Sequence, residues 1–296
     1  MIPRALFLLL AVLAVGCCTA TEPLTARPPT VPAAPDPSKP CFPGAYYRKA
    51  VSSTDRWEGI EGIITLPEVE FDRTRLRPGG RPMDNPSIYM GGRCDGQEID
   101  AGLSWEVIRD TDGRVTTEGK AFRPFWRNEK WGSAPAEPQY YFHPGDTVKM
   151  SIRNTAKGKL AMEILLLARA GTPAETATTA TRTYPGSAAD PLSSFTIVFD
   201  AAKFEPGKPQ EFKRVNAIDQ WKNEGKEVQP TQTKVLGAIW HEVWLVWDHE
   251  KLPFSPDRLT DMRCPNPGSF LVEPANELGH GGEKISIFGQ PLNTAP

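Results

Sequence analysis

Strand-like runs, some alternating apolar with polar positions and some apolar throughout, recur along the chain after residue 57. The alternation is cleanest where Val148, Met150 and Ile152 interleave with Lys149, Ser151 and Arg153. Period two puts one set on a packed face and the other in water, which is the pattern of a strand. A β-branched run at 59–66 stops at Pro67, and an apolar-aromatic run at 88–90 follows a turn at Asn85-Pro86. Asp95-Gly96 and the Asp-Thr-Asp-Gly of 110–113 read as hairpin turns on either side of a strand at 98–109. Further strands are predicted at 122–131, 160–168, 195–199, 210–218 and 284–288. The 160–168 stretch is apolar enough to suit a short helix as well, and it is assigned to a strand because a meander surrounds it. Residues 235–247 are apolar on both faces, as in a central strand. Residues 171–194 and 221–233 read as loops, and 253–282 as irregular. About ten short strands without helices define an all-β chain, a double-sheet β-sandwich of jelly-roll, concanavalin-like type.

Composition supports this picture and narrows the partners. Thirty prolines and 25 glycines among 296 residues interrupt helices and suit strands joined by turns. Formal net charge is −2, with no run of lysine or arginine to follow a phosphate backbone, so no nucleic-acid partner is expected.

The N-terminus has a different character. Arg4 precedes an apolar run from Ala5 to Gly16 that is too short to span a bilayer, and the run ends at Leu13-Ala14-Val15-Gly16-Cys17. Residues 1–18 therefore read as an export signal with a lipobox-like end, with Cys17 as the lipidation site and the membrane as a partner through that lipid. Simple secretion is the alternative. Residues 19–40 hold seven prolines and read as an extended tether. Residues 41–296 form the single folded domain. Export implies an oxidising compartment, and Cys41 and Cys264, near the two ends of the domain, are the favoured disulfide pair over Cys94.

Candidate chemistry is sparse. The four histidines form no zinc pattern, and neither a nucleophile elbow nor a phosphate loop occurs. No metal or cofactor is expected. Asp100 and Glu242 lie in the two most aromatic strands, and as neighbours they could act as an acid–base pair. Tyr89, Gln97, Trp126, Arg127 and Trp131 combine rings with polar donors, the composition of a groove for a polysaccharide or a peptide.

The order of several short motifs resembles that of the glutamic peptidases, or eqolisins. The matching segments are 57–67, Tyr89-Met90-Gly91-Gly92, Ile99-Asp100-Ala101-Gly102-Leu103, the stretch from Phe125 to Trp131, Gly145-Asp146-Thr147-Val148, and Ile239-Trp240. The resemblance implies a double-sheet jelly roll. It also implies that Asp100 occupies the place of the family's catalytic glutamine and Ile239 that of its catalytic glutamate. Isoleucine cannot activate water, so an aromatic groove that binds an extended polymer is expected ahead of cleavage. An acid hydrolase using Asp100 and Glu242, peptidase before glycosidase, is the alternative, and a structural envelope protein is a further one.

Overall fold

The computed structural model describes residues 31–108, 112, 114, 119–171, 194–275 and 280–290. The export signal, the lipobox-like cysteine, most of the tether, the expected hairpin turn at 110–113 and nearly all of the 171–194 loop lie outside them.

Sixteen strands are present among the described residues: β1 Ala45–Val51, β2 Trp57–Thr65, β3 Glu68–Glu70, β4 Asp84–Cys94, β5 Gln97–Glu106, β6 Ala121–Arg127, β7 Trp131–Ser133, β8 Thr147–Ala156, β9 Lys159–Ala168, β10 Ser194–Asp200, β11 Glu211–Gln220, β12 Lys234–Trp247, β13 Glu250–Pro253, β14 Thr260–Cys264, β15 Phe270–Pro274 and β16 Glu283–Phe288. They form two antiparallel sheets packed as a sandwich. One has seven strands in the order β14-β1-β11-β4-β5-β6-β7. The other runs β10-β9-β8-β2-β12-β16-β15, with β3 and β13 also paired to β12.

The apolar 160–168 run is strand β9, paired with β8 and β10. The stretch expected as one strand at 122–131 is two, because a turn at 128–130 folds β7 back on β6. The 253–282 region is not irregular throughout, since it holds β14 and β15. Each is five residues long and lies at a sheet edge. Edge strands tolerate the prolines and charges that hid them in the sequence. At the β4–β5 hairpin Asp95 and Gly96 both take positive φ (44° and 80°). That is the two-residue turn whose twist matches the flanking strands.

The core lies between the sheets. Trp57, Ile60, Ile64, Trp240, Val243 and Leu245 come from one sheet, and Met90, Ile99, Leu103 and Phe212 from the other. Strand β11 shows how period two positions the site. Phe212 and Ile218 belong to the core between the sheets, and Asn216 Oδ1 there accepts a 2.8 Å hydrogen bond from Trp240 Nε1. Lys213, Val215, Ala217 and Asp219 point to the opposite, outer face.

Cys41 and Cys264 are joined by a disulfide with Cα atoms 5.7 Å apart, while Cys94 is a buried free thiol. The bridge ties the start of the domain to β14, next to β1.

Candidate functional site

The outer face of the seven-stranded sheet carries a groove of about 860 Å³. Alternation on five neighbouring strands lines it: Tyr47 and Lys49 from β1, Lys213 and Asp219 from β11, Tyr89 from β4, Glu98, Asp100 and Ser104 from β5, and Phe125 and Arg127 from β6. Its rim is aromatic. Trp131 is 59% exposed and stacks on Phe125 with centroids 4.6 Å apart and planes 6° apart. Trp221 lies against Arg77 and Lys222, at 5.3 and 4.6 Å from its ring centroid, and Phe42 is 58% exposed. Large apolar side chains left in water around one depression make this groove the candidate site.

A row of residues crosses the floor. Register places Lys213 on β11 opposite Gly91 on β4, and Gly91 opposite Asp100 on β5. Lys213 reaches across Gly91 to put its Nζ 2.7 Å from Asp100 and in contact with Glu98. A Cβ at position 91 would come within 3.0 Å of Lys213 Cε and collide with the carbonyl oxygen of Ile99. Only glycine leaves that path open. Burial opposes the Lys213 charge, but Asp100 and Glu98 outweigh it and hold its pKa above the ordinary lysine value. Burial likewise works against the Glu98 charge, and Lys213 then brings its pKa down to about 2.

Two further groups stand out. Burial, together with the negative charge of Asp100, pushes the Asp219 carboxyl up to about 6, although it accepts a 2.5 Å hydrogen bond from the Ser87 hydroxyl. Tyr89 lies among Asp100, Asp219 and Glu98. Burial and then Asp100 raise its phenol well above 10, so it stays protonated. The groove thus holds Asp219, which titrates near pH 6, together with Glu98, held near 2, and Asp100, both against the Lys213 ammonium. Groups pushed apart in this way can divide the roles of proton donor and anion.

Tyr89, Asp100, Arg127 and Trp131 come together here. Arg127 is paired with Glu224 at 2.7 Å. Three other expected site residues do not join them, two because of strand parity and one because it lies in the other sheet. Trp126 is adjacent to Arg127 on β6, points to the other face, and stacks on Phe195 at 6.0 Å. Gln97 also falls on the wrong parity, and its Oε1 accepts a hydrogen bond from the Lys203 amide. Glu242 is on β12 of the other sheet, where Trp240 and Val243 supply the core contacts, and it does not line the groove. Asp100 and Glu242 therefore cannot act as a pair. Ile239 lies on β12 too, so it cannot occupy the place of a partner to Asp100 either. A groove carboxyl that does feel the charge of Asp100 is Asp219. The expected strand at 210–218 ended one residue short of it, and nothing in the sequence pairs β11 with β4. Among the described residues no group of three or more His, Cys, Asp or Glu side chains is placed to hold a metal.

A two-sheet β-sandwich with an open groove across one outer face is the class of structure this chain forms. Scytalido-glutamic peptidase has a similar fold. Two of its crystal structures, one with a peptide-based transition-state analog and one with a transition-state analog inhibitor, match with TM-scores of 0.51 and 0.50. Identity is 8% and 7%, and each match covers 82% of this chain and 98% of the other. At such identity the likeness is one of fold. No protein-family model and no curated protein sequence matches the chain.

Proposed function

We propose that this chain takes an extended peptide into the groove and hydrolyses it at mildly acidic pH. The observation that carries the reading is the pair of unlike carboxyls, Asp219 near pKa 6 and Asp100 ion-paired with Lys213. Below pH 6 Asp219 holds a proton that it can deliver to the departing amine nitrogen. Asp100 accepts the proton of the attacking water, and the Lys213 ammonium stabilises the oxyanion that forms. The fold shared with a peptidase supports peptide over polysaccharide as the ligand. The signal-like residues 1–18, Cys17 at their end and the Cys41–Cys264 bridge support an exported, lipid-anchored protein with its groove outside the cytoplasm.

The test is digestion of an unfolded protein from pH 4 to 8. Cleavage should fall as pH rises through about 6. Asp219→Asn should cost about a hundredfold or more, the usual scale for removing an acid–base group, while Glu242→Gln should cleave normally. Equal cleavage by the parent and Asp219→Asn removes the reading.

Peptide binding without cleavage is the second reading. It is favoured by Lys213, whose ammonium 2.7 Å from Asp100 already engages that carboxylate. Peptide affinity that depends on Trp131, with no cleavage at any pH, would establish it.

A further inference from the structure

The groove continues past Lys49. A smaller hollow of about 210 Å³ adjoins it, and Phe42, Lys49, Glu98 and Lys213 belong to the walls of both. The charges at this junction do not balance in the way they do along the floor. Lys213 has two carboxylates, Asp100 at 2.7 Å and Glu98 in contact. Lys39 has Glu211 at 2.5 Å. Among the described residues Lys49 pairs with Glu98 alone, at 3.7 Å, and that carboxylate is already bonded to Lys213. Arg93 adds another positive charge to the same wall.

We infer that Lys49 binds a carboxylate of the ligand, so that this end of the groove selects peptides carrying an acidic side chain or a free C-terminal carboxylate. The inference rests on the peptide reading above. The Lys49 side chain is only 23% exposed, which puts its ammonium at a desolvated position where an incoming anion replaces lost hydration. Burial, followed by the charge of Lys213 and more weakly that of Lys39, brings its pKa down to about 8, while Glu98 and Asp100 act in the opposite sense. A ligand carboxylate would stabilise the charged form and strengthen its own binding as it did so. A single negative charge suits the site better than a phosphate dianion, because Glu98, Glu211 and Asp100 all stand nearby. The groups around Lys49 are Lys213 and Glu211 on β11, Glu98 and Asp100 on β5, Arg93 on β4 and Lys39 before β1.

Three short alanine–serine peptides of one length test this by calorimetry with the full chain. One is neutral and amidated, one has a free C-terminal carboxylate, and one is amidated with a single internal glutamate. At pH 6.5 one or both acidic peptides should bind about tenfold tighter than the neutral one, the lower end for a hydrogen-bonded charge pair. The peptide preferred shows whether a chain terminus or a side chain is read. The preference should vanish in Lys49→Gln. In the parent it should shrink by pH 9.5, because Lys49 loses its proton near 8. It should persist at pH 9.5 in Lys49→Arg, whose guanidinium stays charged. Equal affinity for all three peptides, or a preference that survives Lys49→Gln, overturns the inference and leaves the peptide reading intact. Failure of all three to bind overturns both.

Discussion

Replacing Glu283 by glutamine should destabilise the fold by about 3–5 kcal/mol and erase much of its acid sensitivity. Arg48 on β1 and Arg214 on β11 are 1% and 0% exposed and point between the sheets, directly behind the groove floor. Glu283 on β16 pairs with both: Oε1 accepts a 2.7 Å hydrogen bond from Arg48, and Oε2 lies 2.9 Å from Arg214 as an ion pair. Asp261 gives Arg48 a second partner at 3.1 Å, and Arg214 also lies 5.8 Å from the Trp240 ring centroid. Removing one partner of a buried ion pair leaves a charge without compensation, which costs about 3–5 kcal/mol. A second route gives a similar size. Burial disfavours the Glu283 charge, but the two arginines outweigh it and bring its pKa from 4.5 to about 2. A difference of that size corresponds to about 3 kcal/mol of pH-dependent stability. Because the folded value is the lower one, the contribution is present above about pH 4.5 and disappears as pH falls from there towards 2. Thermal melts of the parent and Glu283→Gln between pH 2 and 7 measure both effects. At pH 7 the variant should melt about 6–20 °C lower for a domain of this size, and the two curves should converge towards pH 2. Equal melting temperatures at pH 7, or parallel acid limbs, would refute the reasoning.

The groove and the domain closure give three more outcomes. Asp219 is held above its ordinary carboxyl value, so its ionisation costs stability as pH rises from about 4 to 6; Asp219→Asn should therefore be the more stable protein in urea at pH 8 and lose that advantage at pH 4. Trp131→Ala should weaken peptide binding about tenfold, as removal of an aromatic anchor does, yet move the melting temperature little, because the ring is more than half exposed. The Cys41–Cys264 bridge links residues 223 apart in sequence; replacing both with serine should cost about 2–5 kcal/mol in denaturant unfolding, and a change below 1 kcal/mol would show that the two ends hold together without it.

Much of the sandwich could be read from period two alone. The strands at 148–152, 160–168 and 235–247 stand where their alternation or apolar length placed them. What escaped was short or carried mixed signals. β1 reads Ala-Tyr-Tyr-Arg-Lys-Ala-Val, with an arginine and a lysine side by side at its centre. Both are needed, because Arg48 enters the buried ion cluster and Lys49 enters the groove. A charge inside a sandwich breaks the simple pattern, and its partner Glu283 is 235 residues away in sequence. No local rule connects them.

The site was legible by strand and illegible by sheet. Asp100, Tyr89, Arg127 and Trp131 were found because they carry chemistry on recognisable strands. Trp126 and Gln97 were grouped with them by proximity in sequence, although parity already separates Trp126 from Arg127 and Gln97 from Asp100. Applying parity to β11 would have put Lys213 and Asp219 on one face. It could not have told which sheet β11 joins, since β11 and β12 are both long strands and neither names its neighbours. That choice decides the partner of Asp100. With β12 in the other sheet, Glu242 and Ile239 drop out together, and the argument that a missing glutamate disables the groove drops out with them. With β11 two strands from β5, Lys213 crosses Gly91 to Asp100, and the floor of the groove becomes an ion pair flanked by a carboxyl titrating near pH 6. Whether a peptide in the proposed site is cleaved or only held then turns on whether the Lys213 ammonium stays on Asp100 or serves the developing oxyanion. Lys213→Met would remove the ammonium at similar volume. If Lys213 only restrains Asp100, the variant should cleave faster than the parent; if Lys213 stabilises the oxyanion, it should cleave about a hundredfold more slowly.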